Sequence, residues 1–492
     1  MFKKPTKKQY LIQRIIFSII AVTALLIVVT LAILSMMGYR LDSDKGRLEQ
    51  GALLQFDSKP SGADVYVDDS LVSGKTATKQ TVVAGVHTVV MKKDGYRDWT
   101  RTLNTAAGTL TWLDYTRFVP TKLTVQKVAT YQTLTGAKVS PDNKWALLQE
   151  KSDTPTFQLA DLRSSDVKIT TLTLPATSYS EADTSDVTHS FLIVSWDENG
   201  RYVLLKHIYK DQTEWLVLDS QDQTKVTNIT QMFSTGFSDI QFAGTDGKVF
   251  YALANDGAIR RIDLSAETMS RAVVTHAESF TLYDNKIVSY VGIDPSDATK
   301  RVAGIYRDGD ENSHVLRSVI SPSTDMVLKI AITTYHDDYY VAIAEDNVVT
   351  VLKGGYPSAD DTNNDSLESY ATFEISGSVS ALSFSEDGDY VLAQSGETFK
   401  SYEIEHKRAA AGTITVNEGD SAPTLRWLDE AHLWSNDSGT LVMRDFNGDN
   451  AQSIMTIATG FDASLSQSGR YFYGIGKDDA GYHLQRVKMI LD

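Results

Sequence analysis

The chain contains no cysteine among its 492 residues. This absence excludes disulfide bonds, thiol catalysis, thiolate metal sites and a lipid-modified N-terminal cysteine. Two common catalytic signatures, the G-x-S-x-G nucleophile turn and the H-E-x-x-H metal motif, are also missing, and the nine histidines are scattered without metal-ligand spacing. We therefore predict a protein that is not an enzyme and that needs no cofactor.

Basic residues are in short supply beyond the N-terminus. Without Lys3, Lys4, Lys7, Lys8 and Arg14, the chain has 42 basic residues against 63 acidic ones. Because affinity for nucleic acid depends on lysine and arginine, this balance excludes nucleic acid as a partner. The acidic excess is typical of a surface that stays soluble and repels its neighbours.

One long apolar run, Ile15–Met37, carries no charged side chain. About 20 such residues span a bilayer as one helix, and basic residues before it predict a cytoplasmic N-terminus. A cleaved signal peptide is the alternative, with an apolar region of about 7–15 residues before an A-x-A-like site. The run is longer, and LAILSMMGYR lacks that site. We therefore expect a single-pass plasma-membrane protein whose C-terminal domain is extracytoplasmic.

Composition divides the chain into five segments. We predict a cytoplasmic basic tail at 1–14, a transmembrane helix at 15–37, a polar linker at 38–52, a small β domain at 53–120 and a repetitive β region at 121–492. In the small domain, apolar and polar residues alternate between Gly, Pro and Asp turns, which is typical of an antiparallel sandwich. The fold class is therefore mainly β.

The small domain contains a series of turn and strand motifs in a fixed order. Gly62, Gly85 and Gly95 suit tight turns, and Val65, Val67, Val89 and Met91 are expected to form the buried face. The motifs are Pro60-Ser61-Gly62-Ala63, Val65-Tyr66-Val67-Asp68, Gly74, Thr76, Ala84-Gly85-Val86-His87 and Lys93-Asp94-Gly95-Tyr96. They resemble the PEGA domain, although Ser61 replaces the family's commonest Glu. The resemblance implies a binding or spacing module at a prokaryotic cell envelope, without catalytic residues.

The last 370 residues repeat a short apolar strand, a Ser or Asp turn and a second strand. The repeats are about 47 residues apart, and units of about 40–50 residues with four strands are typical of a β-propeller. Eight turns predict eight blades, with seven as the alternative because the units at Tyr283 and His336 are degenerate. The strand after Pro120, LTVQKVATY, is expected to close the ring by pairing with the last blade. The turns start near Ser140, Ser195, Ala243, Tyr283, His336, Ser385, Trp427 and Ser466.

The best-formed repeat predicts strands at Val379–Phe384, Tyr390–Ala393, Thr398–Ile404 and Gly412–Val416. Its turn, Ser385-Glu386-Asp387-Gly388, and the turn Ser140-Pro141-Asp142-Asn143 resemble the S-P-D-G signature of TolB-type, WD40-like propellers. Two weaker matches are Ser195-Trp196-Asp197-Glu198 and Ser466-Gln467-Ser468-Gly469. We interpret the Ser and Asp side chains as bonding local backbone amides.

Two polar segments, Ala176–His189 and Tyr356–Tyr370, have the composition of loop insertions. Alternating oxygen-bearing residues suit Ca²⁺, and two runs of Asp and Asn have this pattern, although the first has Ser366 and Thr372 where an EF-hand needs Gly and Glu. His336 and His432 lie in expected turns and are interpreted as surface or packing residues. The weak calcium candidates are Asp361, Asn363 and Asp365 in the second segment, and Asp445, Asn447 and Asp449 near the C-terminus.

These observations favour a membrane-anchored surface protein that binds or scaffolds through its propeller. Its expected ligand is a protein or polysaccharide of the cell envelope. One alternative is a component of an envelope assembly of the TolB kind. A propeller enzyme acting on glycans is the other alternative, supported by fold analogy alone.

Overall fold

The computed structural model describes residues 7–36, 39–42, 47–182, 184, 186–320, 326–357 and 367–491. Helix α1 spans Lys7–Met36, and its stretch Arg14–Leu34 is long and apolar enough to cross a membrane. None of that stretch is buried within the chain. The segment expected to be a linker contains two paired antiparallel strands, β1 (Tyr39–Asp42) and β2 (Arg47–Gln50).

The chain divides into two compact units, Met1–Lys122 and Leu123–Asp492. In the first unit, two sheets enclose one core, with strand orders β6-β3-β9 and β5-β4-β7-β8. The strands are β3 (Ala52–Lys59), β4 (Asp64–Val67), β5 (Ser70–Lys75), β6 (Thr78–Val82), β7 (Gly85–Lys92), β8 (Trp99–Thr105) and β9 (Leu110–Arg117).

The expected buried face of this sandwich is confirmed, because Val65, Val67, Val89 and Met91 are all buried. The expectation of a purely antiparallel sandwich is wrong, because β3 and β9 pair in parallel. Strand alternation alone does not distinguish the two pairings, since both place successive side chains on opposite faces.

The second unit has eight four-stranded sheets within its described residues, each running from an inner to an outer strand. Blade one contains β11 (Gly136–Val139), β12 (Trp145–Gln149), β13 (Thr156–Asp161) and β14 (Lys168–Thr173), and blade two contains β15 (His189–Trp196), β16 (Tyr202–Tyr209), β17 (Gln212–Asp219) and β18 (Val226–Asn228). Blade three contains β19 (Phe237–Phe242), β20 (Val249–Ala254), β21 (Ile259–Asp263) and β22 (Thr268–Met269). Blade four contains β23 (Ala277–Tyr283), β24 (Ile287–Asp294), β25 (Asp297–Arg307) and β26 (His314–Ile320). A 3-10 turn at Ala176–Ser178 precedes blade two, and the short helix α2 (Ile229–Phe233) follows it.

Blade five contains β27 (Leu328–Tyr335), β28 (Asp338–Glu345), β29 (Val348–Gly354) and β30 (Leu367–Glu374). Blade six contains β31 (Ala381–Phe384), β32 (Tyr390–Ser395), β33 (Thr398–Glu403) and β34 (Arg408–Thr413). Blade seven contains β35 (Arg426–Trp427), β36 (His432–Asp437), β37 (Thr440–Asp445) and β38 (Gln452–Thr456). Blade eight has the order β39 (Ser464–Leu465), β40 (Tyr471–Asp478), β41 (Gly481–Lys488) and β10 (Val125–Tyr131).

The ring therefore closes as the sequence predicts, because β10, from the start of the unit, pairs antiparallel with the final strand β41. The described residues of the second unit form eight blades rather than the alternative of seven. Two of the blades looked degenerate because their inner hairpins turn through left-handed residues. These are Asp284 and Asn285 in blade four and His336 in blade five.

The predicted turn chemistry is confirmed at Ser140 and Ser385, whose hydroxyls accept the backbone N–H of Trp145 and Tyr390 at 3.0 Å in each case. Blade two requires a correction, because Asp197 and not Ser195 holds this position. One Asp197 carboxylate oxygen accepts the backbone N–H of Arg201 and of Tyr202, both at 2.7 Å. Ser195 lies within β15 beside a register shift.

The outer strand of blade six is also corrected. We expected Gly412–Val416, whereas β34 is Arg408–Thr413. The reason is that an outer strand pairs on one side only and faces solvent, so its side chains need not alternate in polarity. The alternating residues of Gly412–Val416 therefore lie partly in the connection that follows β34, rather than forming the strand itself.

Candidate binding site on the propeller

Antiparallel strand order places two kinds of connection at the same end of every blade: the crossing from one blade to the next, and the hairpin between the second and third strands. We call this end the crossover face. Its described crossings include 174–182, 229–236, 270–276, 375–380, 414–425 and 457–463. The stretch 176–182 of the first polar segment belongs to this face, whereas residues 358–366 of the second segment lie outside the described residues.

A cavity of about 500 Å³ opens on the crossover face at blade seven. The connection 414–425, the hairpin at Asn436–Gly439 and the connection 457–463 contribute its walls. Trp434 is a nearly buried part of the lining, and Phe461 is a half-buried part. Asp420 and Ser421 add exposed polar groups at the rim. The cavity thus combines aromatic surface with hydrogen-bonding groups, a mixture typical of ligand pockets.

Arg426 extends this cavity toward the inner strands. It pairs across the hairpin with Trp434, and its guanidinium carbon lies 5.6 Å from the centroid of the Trp434 ring. The guanidinium also forms an ion pair with Asp462. The other Asp462 oxygen lies 2.9 Å from the Lys138 ammonium on the inner strand of blade one. This network joins blades one and seven and holds a half-exposed cation beside the cavity.

The C-terminal calcium candidates do not converge on one point. Asp445 is buried, and its carboxylate accepts the Asn450 side-chain N–H at 2.8 Å. Asn447 instead donates to Asp449 at 2.5 Å. No group of three or more His, Asp or Glu side chains suited to a metal ion occurs in the described part of the chain. Asp361, Asn363 and Asp365 lie outside the described residues, so calcium binding at either run stays a prediction.

The two histidines singled out by the sequence differ in their surroundings. His432 is buried, and its Nδ1 lies 2.7 Å from Asp429. This contact supports the packing interpretation. His336 occupies a left-handed turn position and contacts the ring of Tyr335.

Sequence reasoning missed a second polar group on the crossover face, formed by His189, His207 and Glu214. His207 and Glu214 face each other across the hairpin of β16 and β17. The tight turn at Lys210-Asp211 was the signal that could have placed them opposite each other. Nothing in the sequence indicates that His189 reaches His207 diagonally from a neighbouring strand.

In the PEGA-like unit, Thr76 explains the motifs that carry the resemblance. Its hydroxyl accepts the backbone N–H of Gly62 at 3.0 Å and of Ala63 at 2.9 Å, and lies 2.7 Å from the Ser58 hydroxyl. The threonine of one motif thus fixes the P-x-G-A turn of another. Gly62, Gly85 and Gly95 all have positive φ, as expected for the turns.

Comparison with known proteins finds similarities for both units. Residues 52–119 match the model of the PEGA domain family, and none of the curated proteins matches the chain. Among solved structures, the β-propeller domain of Cps50 (Swd1) from Myceliophteria thermophila is 14% identical, with a TM-score of 0.39 over 68% of this chain and 100% of that one.

Two further solved structures are oligogalacturonate lyases. One, in complex with manganese, is 12% identical, with a TM-score of 0.41 over 73% of this chain and 98% of that one. The other, from Vibrio parahaemolyticus, is 11% identical, with a TM-score of 0.38 over 75% and 98%. The chain thus carries an N-terminal apolar helix, a PEGA domain and a β-propeller.

Proposed function

We propose that this is a single-pass membrane protein that displays its PEGA domain and propeller outside the membrane and binds a ligand of the cell envelope. The apolar stretch Arg14–Leu34 and the basic residues that precede it support the anchor and its orientation. The mechanism is binding or scaffolding rather than catalysis.

The observation that carries the binding role is the cavity at blade seven. Its aromatic lining can cover the apolar part of a ligand, while Arg426 supplies a half-exposed cation beside it. Aromatic and arginine side chains in such positions commonly contribute most of the binding energy at interfaces. The ligand is a protein or a polysaccharide, and the experiment below separates the two.

The test is capture of separate envelope protein and polysaccharide fractions by the full-length protein in detergent micelles, with and without calcium. We expect one fraction to be retained, and Arg426→Ala to lose most of that retention. Arg163→Ala is the matched control, because Arg163 also stacks on a tryptophan and pairs with an aspartate, on a hairpin at the opposite end of blade one. Equal capture by Arg426→Ala and the wild type would contradict the proposal.

Orientation is tested on intact cells. An external protease should cleave the chain beyond residue 38 while leaving a cytoplasmic control protein whole. Complete protection of the PEGA domain and the propeller would show that they do not face outward. A single stoichiometric protein in the captured fraction would favour the envelope-assembly alternative over general adhesion.

A further inference from the structure

The PEGA domain exposes its large apolar side chains near strand ends. Within residues 52–119, the large apolar side chains that are exposed are Leu71, Val83, Val86, Leu110 and Trp112. Their exposed fractions run from 39% for Leu110 to 69% for Val86. Exposed apolar groups that lie together mark surfaces that contact a protein or a membrane, so their relative positions matter.

Strand pairing places these positions at one end of the sandwich. Because β3 and β9 run in parallel, Leu110 at the start of β9 faces Leu53 at the start of β3. The antiparallel β6 ends at the same place, and Val83 follows it directly. β5 and β7 both begin there, because β4 lies between them and runs opposite to both; Leu71 and Val86 are their second residues. We call this the proximal end of the domain.

The opposite, distal end has a different character. Four strands end there with a basic residue, namely Lys59, Lys75, Lys92 and Arg117. Among the described residues 52–119, no large apolar side chain is exposed at the distal end. The domain is therefore polarised along its strands, with an apolar proximal end and a basic distal end.

The proximal end is also where the chain arrives from helix α1. Gly108, just before β9, donates its backbone N–H to the carbonyl of Gly51 at 3.0 Å. Gly51 follows β2, and Gln50 at the end of β2 pairs with Tyr39 at the start of β1. The hairpin of β1 and β2 thus returns the chain to the side from which it left the helix.

Chain geometry limits the distance between the proximal end and a membrane. The 21 residues of Arg14–Leu34 form about 31 Å of helix, which matches a hydrocarbon core about 30 Å thick. Three residues lead from Met36 to Tyr39 and span at most about 11 Å. Facing residues of an antiparallel pair are about 5 Å apart, so Gln50 lies within about 16 Å of Met36. This short tether keeps the proximal end within reach of the lipid headgroups and makes contact with them intramolecular.

The side chains of the proximal end suit a lipid surface. Tryptophan is enriched at the membrane–water interface, and Trp112 is half exposed. Leucine and valine side chains enter the boundary between headgroups and acyl chains in interfacial segments. Asp68 and Asp69 form the turn between β4 and β5 at the same end. Because these carboxylates repel anionic lipids, the contact has to depend on apolar burial rather than on charge.

We propose that the proximal end of the PEGA domain rests on the outer face of the membrane through Leu71, Val83, Val86, Leu110 and Trp112. This inference rests on the membrane anchor of the proposed function. The partner is the uncharged interface of the bilayer, and the basic distal end points toward water. The domain then stands on the membrane at a fixed height instead of swinging freely on the hairpin.

The test uses nitroxide spin labels, since a chain without cysteine accepts a single introduced thiol for labelling. Full-length protein carrying Ala24→Cys, Ala84→Cys or Asp94→Cys is reconstituted into phosphatidylcholine vesicles. Oxygen, which concentrates in lipid, and a water-soluble nickel chelate are equilibrated on both sides. We expect the ratio of oxygen to nickel accessibility to be highest at Ala24 in α1, several-fold lower at Asp94 in a distal turn, and intermediate at Ala84 in the proximal turn.

The three labels separate failure of the docking from failure of the anchor. Equal, low ratios at Ala84 and Asp94 beside a high ratio at Ala24 would overturn the docking alone. A low ratio at Ala24 would overturn the anchor, and the docking with it. Broadening of the Ala84 signal that disappears on dilution with unlabelled protein would overturn the proposal in favour of contact with a second copy.

Variants then test the apolar contact itself. Val83→Asn combined with Val86→Asn should lower the ratio at the proximal label to that of the distal turn. Val315→Asn combined with Ile320→Asn is the matched control, because both residues are exposed on the outer strand β26 of the propeller. Added phosphatidylglycerol should not raise the ratio, and a rise would contradict a contact based on apolar burial. The comparison of labels in the otherwise unchanged chain decides even if a variant does not fold.

Discussion

At the scale of single residues, a buried histidine shows how fixed partners can hold a charge inside the PEGA domain. His87 in the PEGA domain is buried, and its two ring nitrogens contact Asp68 at 2.6 Å and the Val83 carbonyl at 2.7 Å. Burial opposes the charged imidazole, but these hydrogen bonds outweigh it and raise the pKa of His87. A histidine that keeps its proton in this way links local stability to pH.

The sign of that link follows from the direction of the shift. The folded state holds the His87 proton more tightly than the unfolded state, so the added stability is full below about 6.5 and is lost as pH rises through the raised pKa. We expect hydrogen-exchange protection of residues 85–92 to fall over this range. The fall should be absent in His87→Gln and retained in the control His406→Gln, which changes a histidine in the hairpin between β33 and β34 of the propeller. A wild-type profile that is flat above 6.5 would contradict this role.

The buried pair of Arg444 and Asp437 in blade seven gives a second prediction at this scale. Their side chains are 2.6 Å apart, and both are nearly inaccessible to solvent. Removing one partner leaves the other charge buried, which destabilises by about 3–5 kcal/mol, while removing both costs less. Arg444→Met should therefore lower the unfolding free energy of the full-length protein by more than Arg444→Met combined with Asp437→Leu. Equal or greater loss in the double variant would show that the charge pair itself stabilises the blade.

At the scale of elements, the sequence was informative wherever periodicity and turn chemistry coincide. The closing strand, the eight repeats and the Ser140 and Ser385 turns were predictable because each needs a particular residue type at a particular position. The parallel pairing of β3 with β9 was not, because it depends on contacts between residues far apart in the chain. The aromatic and charged groups at blade seven were also missed, since Arg426, Trp434, Asp462 and Lys138 come from separate strands and connections.

The Asp197 turn shows how one element can be tested. Asp197 is completely buried, and one of its carboxylate oxygens has no hydrogen-bond partner. Burial raises its pKa, the backbone N–H groups of Tyr202 and Arg201 oppose this, and the charge of Asp142 adds to it. The folded state therefore binds a proton at this carboxyl more readily than the unfolded state, so its ionisation lowers stability above the ordinary value.

Asp197→Asn keeps an acceptor for the two backbone N–H groups and removes the buried charge. We expect this variant to unfold at a denaturant concentration equal to or above that of the wild type at pH 7, with the advantage shrinking as pH approaches 4. Asp197→Ala loses the acceptor and should cost about 1–3 kcal/mol, because two buried amides lose their partner. An Asn variant as unstable as the Ala variant would show that the negative charge is needed.

At the scale of the whole propeller, the ring closes at a junction between strands that are far apart in the sequence, β10 and β41. Arg486 on the final strand is buried and donates to Gln126 on β10 at 2.9 Å. It also donates to the Ser165 carbonyl of blade one at 2.7 Å and to the Tyr473 hydroxyl at 3.1 Å. One side chain thus joins blade eight, the closing strand and blade one.

Replacing Arg486 should open the ring rather than weaken it evenly. Arg486→Leu keeps much of the volume but leaves three acceptors without their donor, so we expect a loss of about 3 kcal/mol in unfolding free energy. Because pairing of β10 with β41 closes a ring of eight blades, residues 125–131 should lose hydrogen-exchange protection before the inner strands do. Arg163→Ala, an exposed arginine of blade one, should leave that order unchanged. Uniform loss of protection across all blades in Arg486→Leu would instead mean that the propeller unfolds as one cooperative body, with closure no weaker than any other contact between blades.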